Sequence, residues 1–216
     1  ISHFDIRWEN YLTRFETVSV ALFYKSFENP IEEVTRLGGG DEISFFNVTG
    51  ATNYGVEFHG RAWLSRFFGK SMSRFYIDSN LSIIESSVEL GEEADNMTSQ
   101  ERPLQGQSPW VVNLKLGYEN LVAMTEASLL FNMAGERITK VETSGVPDVY
   151  EQPVPMLDFV YKKTIKEGYN GDKWDLKIRI KNLLDPEFES TKGDEIEKRY
   201  KKGRSIKATL EYKFPS

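Results

Sequence analysis

Cysteine is missing from all 216 residues, and histidine is limited to His3 and His59. The first absence rules out a disulfide framework, a thiolate metal site and a thiol nucleophile. The second leaves too few imidazoles for a zinc centre, which needs convergent ligands at set spacings; no cofactor and no enzymatic activity are expected. Nowhere do about 18 apolar residues run together, so no transmembrane helix is expected. A membrane barrel escapes that exclusion, because its strands are apolar only at every second position. A cationic excess is also lacking: 27 Lys and Arg stand against 33 Asp and Glu, a net charge of -6, which argues against a nucleic-acid partner. No secretion signal opens the chain. Ile1-Ser2-His3-Phe4 already lies in a strand pattern, and the expectation is a fragment whose N-terminal part is missing.

What the chain does have is alternation. In the closing stretch, Ile206, Ala208, Leu210, Tyr212 and Phe214 fall on one side of an extended chain, and Ser205, Lys207, Thr209, Glu211 and Lys213 on the other. The same pattern predicts strands around Phe4–Leu12, Val18–Tyr24, Ile43–Leu64, Phe75–Ile83, Trp110–Glu119, Ala123–Phe131, Leu157–Tyr161 and Trp174–Lys181. Ile43–Leu64 reads as one unbroken strand, far longer than ordinary globular strands of about 5–6 residues. Nine strands result, joined alternately by short turns and by long polar loops: Glu28–Glu42 (with Gly38 to Gly40), Glu85–Gln107, Ala134–Pro155 and Asp185–Lys202. In an antiparallel meander that alternation places all short turns at one end and all long loops at the other. An outer-membrane barrel is built that way; a soluble sandwich has no reason to be. The expected fold class is all-β: a transmembrane antiparallel up-and-down β-barrel, of which the chain supplies about nine strands.

The two faces agree with this. Phe67, Phe68, Tyr118, Trp174, Tyr212 and Phe214 fall near the short-turn end, and Phe4, Trp110 and Phe131 nearer the other, as aromatic girdles at two membrane interfaces would. Glu57, His59, Arg61, Lys177, Arg179, Lys181, Lys207, Glu211 and Lys213 share the opposite face. A dry core does not accept so many charges, so this face is expected to line a wet lumen. Glu57, His59 and Arg61 are read as a solvated cluster, since no nucleophile or enclosed pocket accompanies them. Gly69-Lys70-Ser71 lacks the upstream glycine and the following helix of a phosphate loop. The basic run Lys198–Arg204 could grip lipopolysaccharide phosphates; the plainer reading pairs its cations with Asp194, Glu195 and Glu197. Glu89, Glu92, Glu93 and Asp95 lack a recognised calcium-ligand spacing.

Several short motifs, in order, resemble the C-terminal part of a TonB-dependent outer-membrane receptor. They are Asn53-Tyr54-Gly55-Val56-Glu57-Phe58 preceded by Asn47, and Arg102-Pro103-Leu104-Gln105-Gly106-Gln107-Ser108-Pro109-Trp110 followed by Asn113. Next come Asn132 with Gly135-Glu136-Arg137-Ile138, then Pro147-Asp148 with Tyr150-Glu151-Gln152-Pro153. Asn182-Leu183-Leu184-Asp185 and the Gly203-Arg204 strand complete the set. The Arg102 run resembles the form common in Bacteroidetes-type members. The resemblance implies a 22-stranded barrel with an N-terminal plug, of which residues 1–216 would be the last nine strands, without the plug, TonB box and first strands. Short turns would then be periplasmic and long loops extracellular. It also implies a nutrient receptor in a Gram-negative outer membrane, importing a siderophore or another large scarce ligand. The implied partners are the TonB complex through the plug, the outer-membrane assembly machinery, and membrane lipid or lipopolysaccharide. Gly203, Ile206, Leu210, Tyr212 and Phe214 resemble the C-terminal assembly signal, although Pro215 and Ser216 follow the terminal aromatic.

Two alternatives share the pattern: a passive porin-type barrel with no plug, and a soluble all-β binding or adhesion module whose apolar faces meet in a dry core. If the barrel reading holds, residues 1–216 alone would not be a stable water-soluble monomer, because two strand edges and a large apolar face would lie open.

Overall fold

A computed structural model describes residues 1–37, 41–91, 97–168 and 171–214. The Gly38–Gly40 run, Glu92, Glu93, Asp95, Pro215 and Ser216 lie outside them. In chain order the strands are β1 (Ser2–Tyr11), β2 (Thr17–Glu28), β3 (Ile31–Leu37), β4 (Asp41–Asn47), β5 (Gly50–Trp63), β6 (Phe75–Glu89), β7 (Trp110–Asn120), β8 (Thr125–Ala134), β9 (Arg137–Glu142), β10 (Val149–Glu151), β11 (Met156–Glu167), β12 (Lys173–Lys181), β13 (Glu187–Lys192), β14 (Glu195–Lys201) and β15 (Ser205–Lys213). A single helical turn, α1 (Ser65–Phe68), and a 3-10 turn (Lys70–Met72) lie between β5 and β6.

Nine strands form one antiparallel sheet in meander order, β1-β2-β5-β6-β7-β8-β11-β12-β15. They correspond one for one to the nine expected. Connections 12–16, 64–74, 121–124 and 168–172 close one end, and 29–49, 90–109, 135–155 and 182–204 the other. Register runs without a slip along β5 against both neighbours, from Gly50 to Trp63 against β6. Each face therefore keeps its own residue set. The sheet does not close on itself: β1 and β15 are its two outer strands.

Three expectations need correction. Ile43–Leu64 is not one strand. Asn47 Nδ2 donates to Asn29 O at 2.7 Å, Val48 N–H to Pro30 O at 3.0 Å and Asn29 N–H to Thr49 O at 3.3 Å. These bonds close the base of a β3–β4 hairpin, and the chain leaves the large sheet there. Val48, completely buried, supplies the reason: its side chain is drawn into a core between two sheets, and an unbroken strand would hold it out of that core.

The long connections are not merely polar loops either. Three of them contribute hairpins to a second sheet, order β14-β13-β10-β9-β3-β4, antiparallel except where β3 meets β9 in parallel at Val34↔Val141 and Thr35↔Glu142. Their charges are matched across strands: Arg199 meets Glu189 at 2.7 Å, Lys140 meets Glu197 at 2.9 Å and Arg137 meets Glu151 at 2.8 Å. Arg199–Glu189 and Arg137–Glu151 stand directly opposite each other, and such facing pairs stabilise a ladder by a few tenths to about 1 kcal/mol each. The basic run thus does not pair with Asp194 or Glu195; Arg199 reaches Glu187 and Glu189, and Glu197 goes to Lys140.

The core lies between the two sheets. Val34, Val48, Ile138 and Val141 of the smaller assembly pack with Ala51, Val88, Leu90 and Met97, and Phe27, Phe46, Leu104 and Tyr150 rim them. Ala51, Val88 and Phe27 stand in one register row of the large sheet. Ala51 is separated from Glu57, His59 and Arg61 by even steps along β5, so it shares their face. The second sheet therefore covers the charged face at the long-connection end, and the apolar face stays bare: Ile6, Leu22, Ile83, Ile206 and Leu210 are each at least half exposed.

Candidate functional site

The charged face of the large sheet is the candidate site, since it gathers polar side chains along a continuous wall. On β5 it carries Glu57, His59 and Arg61, as the alternation predicts. His59 does not pair within its own strand. Its Nε2 lies 3.2 Å from Asp78 Oδ1 on β6, and its buried Nδ1 has no partner. Arg61 lies over the Tyr76 ring, 4.9 Å from its centre, with Lys115 on the same ring at 5.3 Å. Tyr76 also meets Trp63 edge to face at 5.4 Å. Cations over desolvated aromatic faces gain roughly 1 kcal/mol or more, so this group stiffens the wall towards the short-turn end.

Lys177 and Arg179 stand on β12, five strands along from β5. At about 4.8 Å per strand that is on the order of 24 Å. The structure places both predicted groups on one face but does not bring them together. Asp175, on the same face, is nearly buried; its Oδ1 accepts from Thr164 Oγ1 at 2.6 Å and its Oδ2 from Lys213 Nζ at 2.8 Å. A concavity of about 230 Å³, lined among others by Lys115, Glu126, Lys162 and Lys177, indents the wall between the two groups. Asp78, Tyr76, Lys115 and Asp175 could not be singled out from the sequence, because their roles depend on which residue each strand places opposite them.

The Arg102–Trp110 motif stitches the wall to its cover. Gln107 Oε1 accepts from Asn53 Nδ2 at 3.0 Å, and Leu104 N–H donates to Ser86 Oγ at 3.0 Å. Gln105 accepts from Glu33 N–H at 2.9 Å and donates to Thr139 O at 2.9 Å. Gly106, at φ +80°, donates its N–H to Ile138 O at 2.8 Å. The motif thus bonds β5 and β6 on one side and β3 and β9 on the other. Asn182-Leu183-Leu184-Asp185 acts similarly at the end of β12. Asn182, in the left-handed region at φ 58°, donates from Nδ2 to Gly203 O at 2.8 Å. Arg204 Nε donates to Leu183 O at 3.0 Å, so two motifs 21 residues apart are one junction.

At the other end, Glu16 in the first short turn is buried and bridged to Arg66 of α1 at 2.7 Å, and it accepts the Trp63 N–H at 3.1 Å. Arg66 holds the Glu16 carboxyl down to about 2, against the cost of burial and with help from the Trp63 N–H. Trp174 and Tyr212 pack at 5.0 Å, Tyr212 and Phe214 at 4.9 Å, and Phe75 and Tyr118 at 5.1 Å. Of the closing-strand residues, Ile206, Leu210, Tyr212 and Phe214 all lie exposed, and Gly203 turns the chain into β15 at φ +76°.

A long antiparallel meander, bare and apolar on one face, charged on the other, with short turns at one end only, has the construction of an outer-membrane barrel wall. The chain belongs to the TonB-dependent receptor family: the family model described as "TonB dependent receptor-like, beta-barrel" matches residues 2–183. That match takes in the first eight meander strands and stops at the Asn182 junction. No curated protein matches the chain. The family is one of outer-membrane transporters rather than enzymes, so TonB-dependent outer-membrane transport is the general context of this wall.

Proposed function

We propose that the chain is the last nine strands of a 22-stranded outer-membrane barrel that imports a scarce nutrient, a siderophore or another large ligand, with energy delivered by TonB through an N-terminal plug. The observation that carries this reading is the pairing of a bare apolar face with a charged face capped only at the long-connection end. A wall of that kind suits lipid outside and water inside. In this reading the short turns are periplasmic and the capping sheet is extracellular. Segments Glu28–Glu42, Glu85–Gln107 and Ala134–Pro155 then help to select the ligand, since they form or support the cover. Gly203, Ile206, Leu210, Tyr212 and Phe214 serve the assembly machinery, to which an edge ribbon with an aromatic end offers both backbone bonds and side-chain specificity. Outer-membrane lipid and lipopolysaccharide meet the bare apolar face, while Arg199 stays with Glu187 and Glu189.

The test is uptake in the native Gram-negative host. Deleting the full-length gene should abolish growth on one limiting nutrient, and deleting tonB should reproduce that loss. Uptake that persists without TonB would replace this reading with a passive porin. A protein recovered folded from the soluble fraction would replace it with a soluble module.

A further inference from the structure

Most cations of the charged face are matched. Arg7 meets Glu9 at 3.0 Å, Lys162 meets Glu126 at 3.7 Å, Lys173 meets Glu167 at 2.7 Å and Lys213 meets Asp175 at 2.8 Å. Lys25, Arg61 and Lys115 lie over aromatic rings. Four are not matched. Among the described residues, Lys177, Arg179, Lys181 and Lys207 have neither a carboxylate within ion-pair distance nor a ring beneath them.

These four are neighbours. Arg179 and Lys207 stand directly opposite each other on β12 and β15, where side chains are about 5 Å apart and like charges repel. Lys177 and Lys181 flank Arg179 at two residues on either side, giving a row about 13 Å long. Asp158, on β11 next to the Lys181 end, is engaged with the Asn182 N–H at 2.9 Å, and Asp175 is held by Lys213 and Thr164. Lys177 also lines the concavity that holds Lys115, Lys162 and Glu126, so the charge of the row continues into a recess where cations still outnumber the carboxylate. Each cation in such a row raises the free energy of the others until an anion neutralises them.

We propose that Lys177, Arg179, Lys181 and Lys207 form a binding wall for an anionic solute inside the barrel, one carrying two or more carboxylate or phosphate groups. The spacing selects the class. A single small anion answers one or two of these cations, whereas a row of about 13 Å is answered by several charges on one molecule. Arg179 supplies a planar fork for bidentate contact, and the three lysines supply point charges. This inference rests on the transport reading for its compartment and narrows the ligand to polyanions.

The experiment uses the full-length receptor purified in detergent, with sodium tripolyphosphate as probe and raffinose as neutral control, followed by titration calorimetry at low and at moderate salt. The expected result is saturable tripolyphosphate binding that weakens with salt, no raffinose binding, and at least a tenfold loss of affinity in R179E/K207E. The matched variant R14E/K70E, in the short turns, should stay within twofold of the unchanged receptor. R179Q/K207Q keeps the test decisive where the Glu pair fails to assemble, and should lose several-fold. Heat-shifted gel migration checks that each barrel is folded. Unaltered affinity in the β12/β15 variants overturns the proposal, as does an equal loss in R14E/K70E or no saturable binding at all. Absent binding together with a lower melting temperature in R179Q/K207Q would instead assign the row to an acidic segment of the full-length chain. Binding to the purified receptor needs no TonB. A negative result here therefore leaves energised uptake standing, and TonB-independent uptake leaves this wall standing.

Discussion

Arg102 and Glu32, 70 residues apart in sequence, form a two-pronged ion pair, Nη1 to Oε1 at 2.9 Å and Nη2 to Oε2 at 2.5 Å, with both side chains 1% exposed. Gln105 N–H adds a third bond to the same carboxylate at 3.0 Å. Removing one partner from a buried pair costs about 3–5 kcal/mol, because the other charge stays behind unpaired. R102A should therefore loosen β3 and its junction with β9, seen as faster hydrogen exchange in those strands than in the large sheet. The double variant E32L/R102M, which buries no charge, should exchange more slowly than R102A. Equal exchange in both would show that the pair holds nothing in place.

Gly55 and Gly117 are glycines for different neighbours. A Cβ on Gly55 would run into the backbone oxygen of Ile83 and lie 2.8 Å from Phe23 Cζ, whereas one on Gly117 would meet the Tyr76 ring. Overpacking typically costs about 1–3 kcal/mol, and a backbone atom yields less than a ring. G55A should cost more than G117A in urea unfolding of the full-length barrel in lipid. Y76A should relieve part of the G117A cost, because the two sites share one contact. A larger loss in G117A would contradict this assignment.

Glu16 gives a pH dependence with a definite sign. Its folded value of about 2 lies below the ordinary 4.5, so the unfolded chain takes up the proton first as pH falls. The stability it lends is fully present above about pH 4.5 and is lost as the pH drops towards 2. E16Q should lose that dependence. The comparison is melting temperature against pH from 6 to 2 for both proteins. A constant gap between the two curves across that range would show that the Arg66 pair does not act through the Glu16 charge.

The Trp174–Tyr212–Phe214 cluster separates an assembly role from a purely lipid-facing one. Y212A/F214A in the full-length protein should lower the amount reaching the outer membrane several-fold, measured by surface proteolysis and heat-shifted gel migration. A normal amount with a reduced melting temperature would mean that the rings serve only the membrane interface.

Residues 1–216 made alone should associate in plain buffer and show β-structure as a dispersed species only in detergent. The large sheet is open along β1 and β15, every residue of both strands is exposed, and none of the described residues covers its apolar face. Such edges pair readily with other chains. Circular dichroism with size-exclusion chromatography, with and without detergent, decides it. A folded monomer in buffer would revive the soluble module.

The nine meander strands and the sorting of their connections were legible because strand alternation is a local property. Each side chain's face follows from its neighbours two residues away. The same reasoning failed at Val48, where the local pattern continues but the chain turns away from the large sheet. It failed again for Ile31–Leu37, Arg137–Glu142 and Glu187–Lys201, whose many charges resemble open loop until their partners across the second sheet are known.

By itself, the sequence determined the strand set, the apolar and charged faces, the family motifs and the membership of Glu57, His59, Arg61, Lys177 and Arg179 in one face. Only the tertiary structure decided that His59 belongs with Asp78, that Arg102 belongs with Glu32, that the long connections close over the charged face, and that Arg179 and Lys207 confront each other unpaired. Alternation assigns a residue to a side of its own strand. Register between strands, and the burial that selects it, assign the partner.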